Sequence, residues 1–432
     1  MASFITPFIS SAVNIALPSI ARSLNIDMAQ VNWFANAFLI SLASTILLLG
    51  VIADYVGRER VFVSGVILFA ITSAAIPYIK DFAALLILRC LQGLGAAMVS
   101  GTTVAILASM FRERTGLVIG INSAAVYIGT ALGPVLGGFL TSFLGWPSIF
   151  IFVSFVALTS TALAFTSINL GKRDLGRRPD LVTPALFVAS LAMVSTGSAY
   201  IKSFGGATIF GMGLTFFIAT FIIEYKHPRV FARQIFEKRV FLAYLVALFN
   251  YVSTFALSIL FSNYLQTEMG LSAWQAGLIL LSQPIAQTLL SPIAGHLADR
   301  WDPGVLVALG MGLITLGIGA SIYVYTQQWL LMTILVVVGI GFAFFASPNT
   351  TQIVRRVPKE VYATATAFLG TMRFLGQALS TSILTIVIAT YKVAAPMKPA
   401  LTAYLIASSI GTLLAVFTIA KEHVNTNCSK QF

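Results

Sequence analysis

The sequence has 432 residues, 58% of them hydrophobic and only 9% charged, with a mean hydropathy of +0.92; soluble domains carry about 25% charged residues, so a soluble enzyme or binding domain is excluded. The net charge of +12, from 26 Lys and Arg against 14 Asp and Glu, would indicate nucleic acid in a soluble chain. Here the basic residues collect in loops between apolar segments, and nucleic acid is not an expected partner.

The apolar material comes in segments of about 20 residues, each long enough to cross roughly 30 Å of hydrocarbon as a helix. No period-two alternation marks a barrel. The expected fold is an all-α polytopic membrane protein with fourteen transmembrane helices, at 2–23, 30–53, 61–79, 82–109, 117–141, 148–169, 181–200, 205–223, 240–263, 275–297, 305–325, 329–350, 361–390 and 400–420. The first begins almost at Met1 without a basic leader or a small-residue cleavage site, so it is expected to stay in place. Loops after the even-numbered spans hold most of the Lys and Arg, whereas Arg22, Lys80, Lys202, Lys392 and Lys398 are the five on the other side. Basic loops are retained in the cytoplasm, which puts both termini there.

Span 1 carries Val13-Asn14-Ile15-Ala16-Leu17-Pro18, and span 2 ends in the charged turn Gly50-Val51-Ile52-Ala53-Asp54-Tyr55-Val56-Gly57-Arg58-Glu59-Arg60. Span 4 holds an intramembrane Arg89. Span 5 places Gly129, Gly133 and Gly137 at four-residue intervals, with Pro134 and Gly138 beside them. That spacing makes one smooth stripe for close helix approach, and the Pro removes a backbone bond. Spans 7 and 8 are bracketed by the two most polar interior segments. Asn250 lies in span 9, Gln283 and Gln287 lie one turn apart in span 10, and Arg373 and Gln377 lie in span 13. Gly295-His296-Leu297-Ala298-Asp299-Arg300 echoes the first turn 245 residues later, as expected of two related halves. The chain divides into a six-helix bundle (1–170), two linker helices (171–239), a second six-helix bundle (240–420) and a cytoplasmic tail (421–432). Cys90 and Cys428 are too few and too far apart for a disulfide framework or a metal site, no cofactor motif is present, and an enzyme is not expected.

These motifs resemble the major facilitator superfamily, specifically its fourteen-spanner drug:proton antiporter branch. Gly50, Asp54, Gly57, Arg58 and Arg60 match the superfamily's turn after span 2, with Glu59 in place of a usual basic residue. Gly129 to Gly138 are similar to the exporters' span-5 motif, and Arg89 to the family's span-4 arginine. The resemblance implies a major facilitator fold and a secondary transporter that works as a monomer, exporting amphipathic molecules or drugs by alternating access from the cell membrane in exchange for protons. It makes Asp54 and Arg58, with Asp299 and Arg300 as their echo, a gating latch. It links Arg89 to proton transfer or cavity shape, while the residues alone leave open an arginine that locks its neighbours. Asn14, Asn250, Gln283, Gln287, Arg373 and Gln377 are either cavity groups or interhelical bonds. One departure matters: the branch's span-1 acid is replaced by Ile9, and every other acid falls in a loop or at a span end. This favours neutral or anionic cargo and weak proton coupling, with Asp27 and Glu268 as cavity-edge acids. A facilitator of an anionic or neutral metabolite is the alternative.

Overall fold

The computed structural model describes residues 1–26, 28–167, 182–201, 203–226, 233–271, 273–391 and 396–428. Among these the secondary structure is helical: α1 (Ala2–Leu24), α2 (Met28–Val56), α3 (Arg58–Ala75), α4 (Phe82–Met110), α5 (Thr115–Leu144), α6 (Pro147–Ser167), α7 (Val182–Ala199), α8 (Phe204–Lys226), α9 (Lys238–Thr254), α10 (Leu257–Thr267), α11 (Ala273–Leu280), α12 (Ser282–Arg300), α13 (Pro303–Val324), α14 (Gln328–Arg356), α15 (Tyr362–Tyr391) and α16 (Met397–Cys428). Boundaries follow local chemistry. Asp81 caps α4 by accepting from the Ala84 amide at 2.7 Å, and Asp302 caps α13 through the Gly304 amide at 2.8 Å, each meeting a helix's unpaired first-turn donors.

Twelve helices among the described residues are long and apolar enough to cross a membrane; α9 with α10, and α11 with α12, each make one of them. Fourteen were expected, and the apolar stretches of α1 and α7, Ala2–Leu17 and Val182–Ser198, fall short of that length. The span expected at 240–263 is broken at Phe255-Ala256, where Ser380 Oγ of α15 accepts the Ala256 amide at 3.0 Å.

Packing repeats between the two ends of the chain. In the first group α1 lies against α5 and α6, α4 against α2 and α3, and α3 against α6. The second group shows the same pattern shifted: α9 against α15 and α16, α14 against α12 and α13, and α13 against α16. The groups meet along two seams, α5 with α12 and α2 with α15. The α7–α8 hairpin packs against the second of these, α7 touching both α2 and α15. Phe187 of α7 stands edge-on to Phe368 of α15 at 6.3 Å, inside a core that runs continuously from α1 to α15.

Helix α5 serves both groups because of where its glycines fall. Gly129, Gly133 and Gly137 face α1, since a Cβ added at them would collide with Phe4, Ser11 and Ala12. Gly116 and Gly120 face α12, where an added Cβ would meet the Gly295 and Ser291 carbonyls. Nine residues separate Gly120 from Gly129, and nine steps of about 100° bring a helix to roughly its opposite face. Gly138 has only Ile15 within reach, and Pro134 is exposed.

Candidate functional site

Asp54 lies in the last turn of α2, and Gly57, at φ +113°, turns the chain into α3; that backbone conformation is cheap only for glycine. The turn aims Asp54 at the start of α15. Its carboxylate accepts from the Ala363 amide at 3.1 Å, the Thr364 amide at 2.7 Å and Thr364 Oγ1 at 2.7 Å. Arg58 Nε donates to it at 2.7 Å, and the same guanidinium donates to the Lys359 carbonyl and lies over the Tyr362 ring. A carboxylate there meets free N–H groups and the positive end of the helix dipole. Gly50, one turn before Asp54, lets the helices touch: a Cβ would sit 2.9 Å from the Ala363 carbonyl oxygen and closer to the Ala367 side chain.

The second turn makes the reciprocal contact. Asp299, at the end of α12, accepts from the Gly116 amide at 2.7 Å and the Leu117 amide at 2.8 Å, at the start of α5. Gly295 plays the part of Gly50, with the Gly116 carbonyl where its Cβ would be. The guanidinium beside Asp299 is Arg355 of α14, bonding the carboxylate at 2.7 Å and the Ala298 carbonyl at 2.8 Å. Arg300, grouped with Asp299 by sequence, is exposed and takes no part. Each group's carboxylate therefore holds the first turn of a helix in the other group, and both contacts lie on the face where Arg58, Arg112, Arg114, Arg355, Arg356 and Lys359 also end.

The two intramembrane arginines separate sharply. A guanidinium in hydrocarbon costs at least about 2.5 kcal/mol, so each needs partners. Arg89 has them: Nε donates to the Phe34 carbonyl at 2.9 Å, Nη1 donates to Gln92 Oε1, and Gln92 Nε2 donates to Ser73 Oγ at 2.6 Å. Phe34, Phe38 and Phe150 surround it at 5.0, 4.6 and 5.8 Å, and it is 1% exposed. It knits α4 to α2, α3 and α6 and offers nothing to a cargo. Arg89→Ala is expected to lower stability by about 2–4 kcal/mol, from the cavity and the stranded Gln92 and Phe34 acceptors. Thermal unfolding of the detergent-purified protein checks this. An unchanged midpoint would show that the network is not structural.

Arg373 sits about 17 Å along α15 from its start and makes no hydrogen bond or ion pair among the described residues; its Nε is buried without an acceptor. Its Cζ lies 5.4 Å from the Tyr251 ring centroid. Gln377 is one turn further along the same helix, and both are partly accessible. The other polar positions scatter. Asn14 is exposed on α1. Asn250 is wholly buried, with Nδ2 3.3 Å from Met311 Sδ of α13 and Oδ1 without a hydrogen-bond partner among the described residues. Gln287 is buried on α12, with Gln283 partly so. Ile9 is completely buried in the first core. Glu268 is exposed at the end of α10, and Asp27 lies outside the described residues. A small apolar gap among Ala2, Ile5, Val66, Phe69 and Val99 has only Thr6 as a polar lining side chain.

Sequence reasoning missed Arg355, and also Tyr127, Tyr251 and Phe342, which cluster near Arg373. Tyr127 meets Phe342 edge-on at 6.0 Å, and Tyr251 meets Phe342 at 5.6 Å.

The chain is a multi-pass helical membrane protein whose two groups clasp each other through reciprocal carboxylate caps. Residues 1–381 and 243–427 match the Major Facilitator Superfamily; the chain belongs to that family and is a membrane transporter, not an enzyme. It is 29% identical to the riboflavin transporter RibZ of Clostridioides difficile, over 97% of this chain and 95% of that one. It is 27% identical to the multidrug resistance protein Stp of Mycobacterium tuberculosis, over 90% of this chain and 74% of that one. The crystal structure of the human organic anion transporter MFSD10 shares the fold, with a TM-score of 0.68 at 17% identity over 96% of this chain and 98% of that chain.

Proposed function

We propose that this transporter works by alternating access, moving amphipathic small molecules out of the cell across the cell membrane through a site between two six-helix bundles, 1–170 and 240–420. Helices α7 and α8 join them to give fourteen spans, with the basic face and both termini cytoplasmic and a single chain as the working unit. The observation that carries this reading is the pair of crossed caps, Asp54 on α15 and Asp299 on α5. They close one face through contacts that a rocking of the bundles breaks together, which is the two-state element alternating access needs. The name of one relative, a multidrug resistance protein, supports export, and that of another, a riboflavin transporter, supports small organic cargo. Proton exchange, which the sequence motifs imply, is weakly held: Ile9 fills the span-1 position, and the described acids lie at helix ends or, for Glu422, past the apolar stretch of α16.

Reconstituted liposomes test both parts. Saturable counterflow of at least one amphipathic compound from a panel is expected, changing little when a pH gradient is imposed. Leak equal to empty liposomes across the panel would sink alternating access. Strong accumulation driven by the gradient would overturn weak coupling.

A further inference from the structure

Arg373 presents a problem that the rest of the chain does not solve. A guanidinium carries five N–H donors in a fixed fork. Arg89, the intramembrane arginine of the first group, finds a carbonyl and a glutamine oxygen as acceptors. Arg373 has no described hydrogen-bond acceptor and no carboxylate, and its buried Nε lacks even a partner of its own helix. Its contacts are aromatic: Tyr251 at 5.4 Å and Phe374 at 5.8 Å. A ring face attracts the positive charge but leaves in-plane N–H donors unmet.

The surroundings are aromatic. Phe342 of α14 takes Tyr251 of α9 edge-on on one side, at 75°, and Tyr127 of α5 on another, at 89°. Tyr127 thus joins the same cluster as Arg373 through Phe342 and Tyr251. The cluster therefore spans both groups, with one helix from the first and three from the second. Tyr127 and Tyr251 are both partly accessible, so a further aromatic ring can pack against them, and the fork beside them matches two coplanar acceptor oxygens. Gln377, one turn along from Arg373, adds a neutral donor and acceptor on the same helix.

We propose that Arg373, Tyr251, Phe342 and Tyr127 form the cargo site, and that it takes a planar aromatic ring bearing a carboxylate-like anionic edge, the edge on the guanidinium and the ring among the three aromatic side chains. This rests on the transporter reading above and assigns its cargo class. A cationic ring finds no counter-charge among these residues. Arg89, bonded to its neighbours and 1% exposed, plays no part in binding.

Binding is measured on the full chain purified in detergent, with three fluorescent probes of one shape: 9-anthracenecarboxylate, its neutral carboxamide and the cationic 9-(aminomethyl)anthracene. The carboxylate is expected to bind at least about tenfold more tightly than the amide, the worth of one charge-assisted contact, and the cation weakest. Arg373→Gln should bring the carboxylate down to the amide's affinity with amide binding retained, which also shows that the variant is folded. Tyr251→Leu should weaken both probes alike. Equal binding of carboxylate and amide to the unaltered protein, a preference that survives Arg373→Gln, or failure of all three probes to bind would each overturn the proposal. Liposome counterflow keeps the two readings apart. Arg373-dependent binding without counterflow removes the transport reading and leaves the site; counterflow of panel compounds by Arg373→Gln at the normal rate removes the site and leaves transport.

Discussion

Gly120→Leu is expected to leave the protein folded in the membrane while nearly stopping transport. The Cβ alone would collide with the Ser291 carbonyl and come within 3.0 Å of the Pro292 Cα on α12, and backbone atoms cannot yield as a side-chain tip can. Overpacking of this kind costs about 1–3 kcal/mol. Only the closed arrangement pays it, because α5 and α12 belong to different groups and separate when the face opens. The closed population then falls by about five- to 150-fold relative to the open one, while each bundle keeps its own core. Reporter cysteines placed near Asp299 should become more reactive as transport falls. Gly133→Leu is the contrast. Its collision is with Ser11 and the Phe8 carbonyl of α1, inside the same group, so it should reduce the yield of folded protein. Normal transport by Gly120→Leu would show that the α5–α12 contact is not the gate.

The carboxylates give the second large effect. Asp54→Asn keeps the shape of the side chain but removes the charge that satisfies two amides, a hydroxyl and Arg58. Hydrogen bonds to a charged group are worth roughly 1.5–3 kcal/mol each, so a tenfold or greater loss of transport is expected from about 1.4 kcal/mol of lost closure. Asp299→Asn should act in the same direction through the α5 start and Arg355. A double-mutant cycle reads whether the caps are one device. If they close together, the second substitution adds little once the first has already opened the face; strictly additive losses would mean that the two seams open independently.

The first turn was legible because its chemistry is local: Asp54 and Arg58 are four residues apart across Gly57, and the carboxylate meets a helix start. The echo pointed to Asp299, which caps α5 as Asp54 caps α15, but it could not carry the arginine. In the second copy the cation comes from α14, 56 residues from Asp299, and no repeat pattern encodes that substitution of source. Arg89 and Arg373 looked alike as single charges in apolar runs. Only packing separated them, since nothing along the chain says that Gln92 and the Phe34 carbonyl turn toward one and no acceptor turns toward the other. Tyr127, Tyr251 and Phe342 were invisible for a similar reason: an aromatic residue in a span reads equally as core, lipid contact or cargo contact. The break at Phe255-Ala256 has neither Gly nor Pro to announce it and depends on Ser380 from another helix.

The hairpin α7–α8 makes the two seams unlike in one more respect. Along α2 and α15 the outer boundary is protein, with Phe187 and Phe221 both against Phe368. Along α5 and α12 the side chains Ile121, Ile128, Leu289 and Ile293 are all exposed and apolar, a surface that suits acyl chain. A gap opening on the first side must deform a solid wall, whereas on the other it is filled or resisted by a fluid. The lateral pressure and stiffness of the surrounding lipid therefore act on one edge of the moving part and not on the other, so bilayer composition becomes a setting of the machine itself.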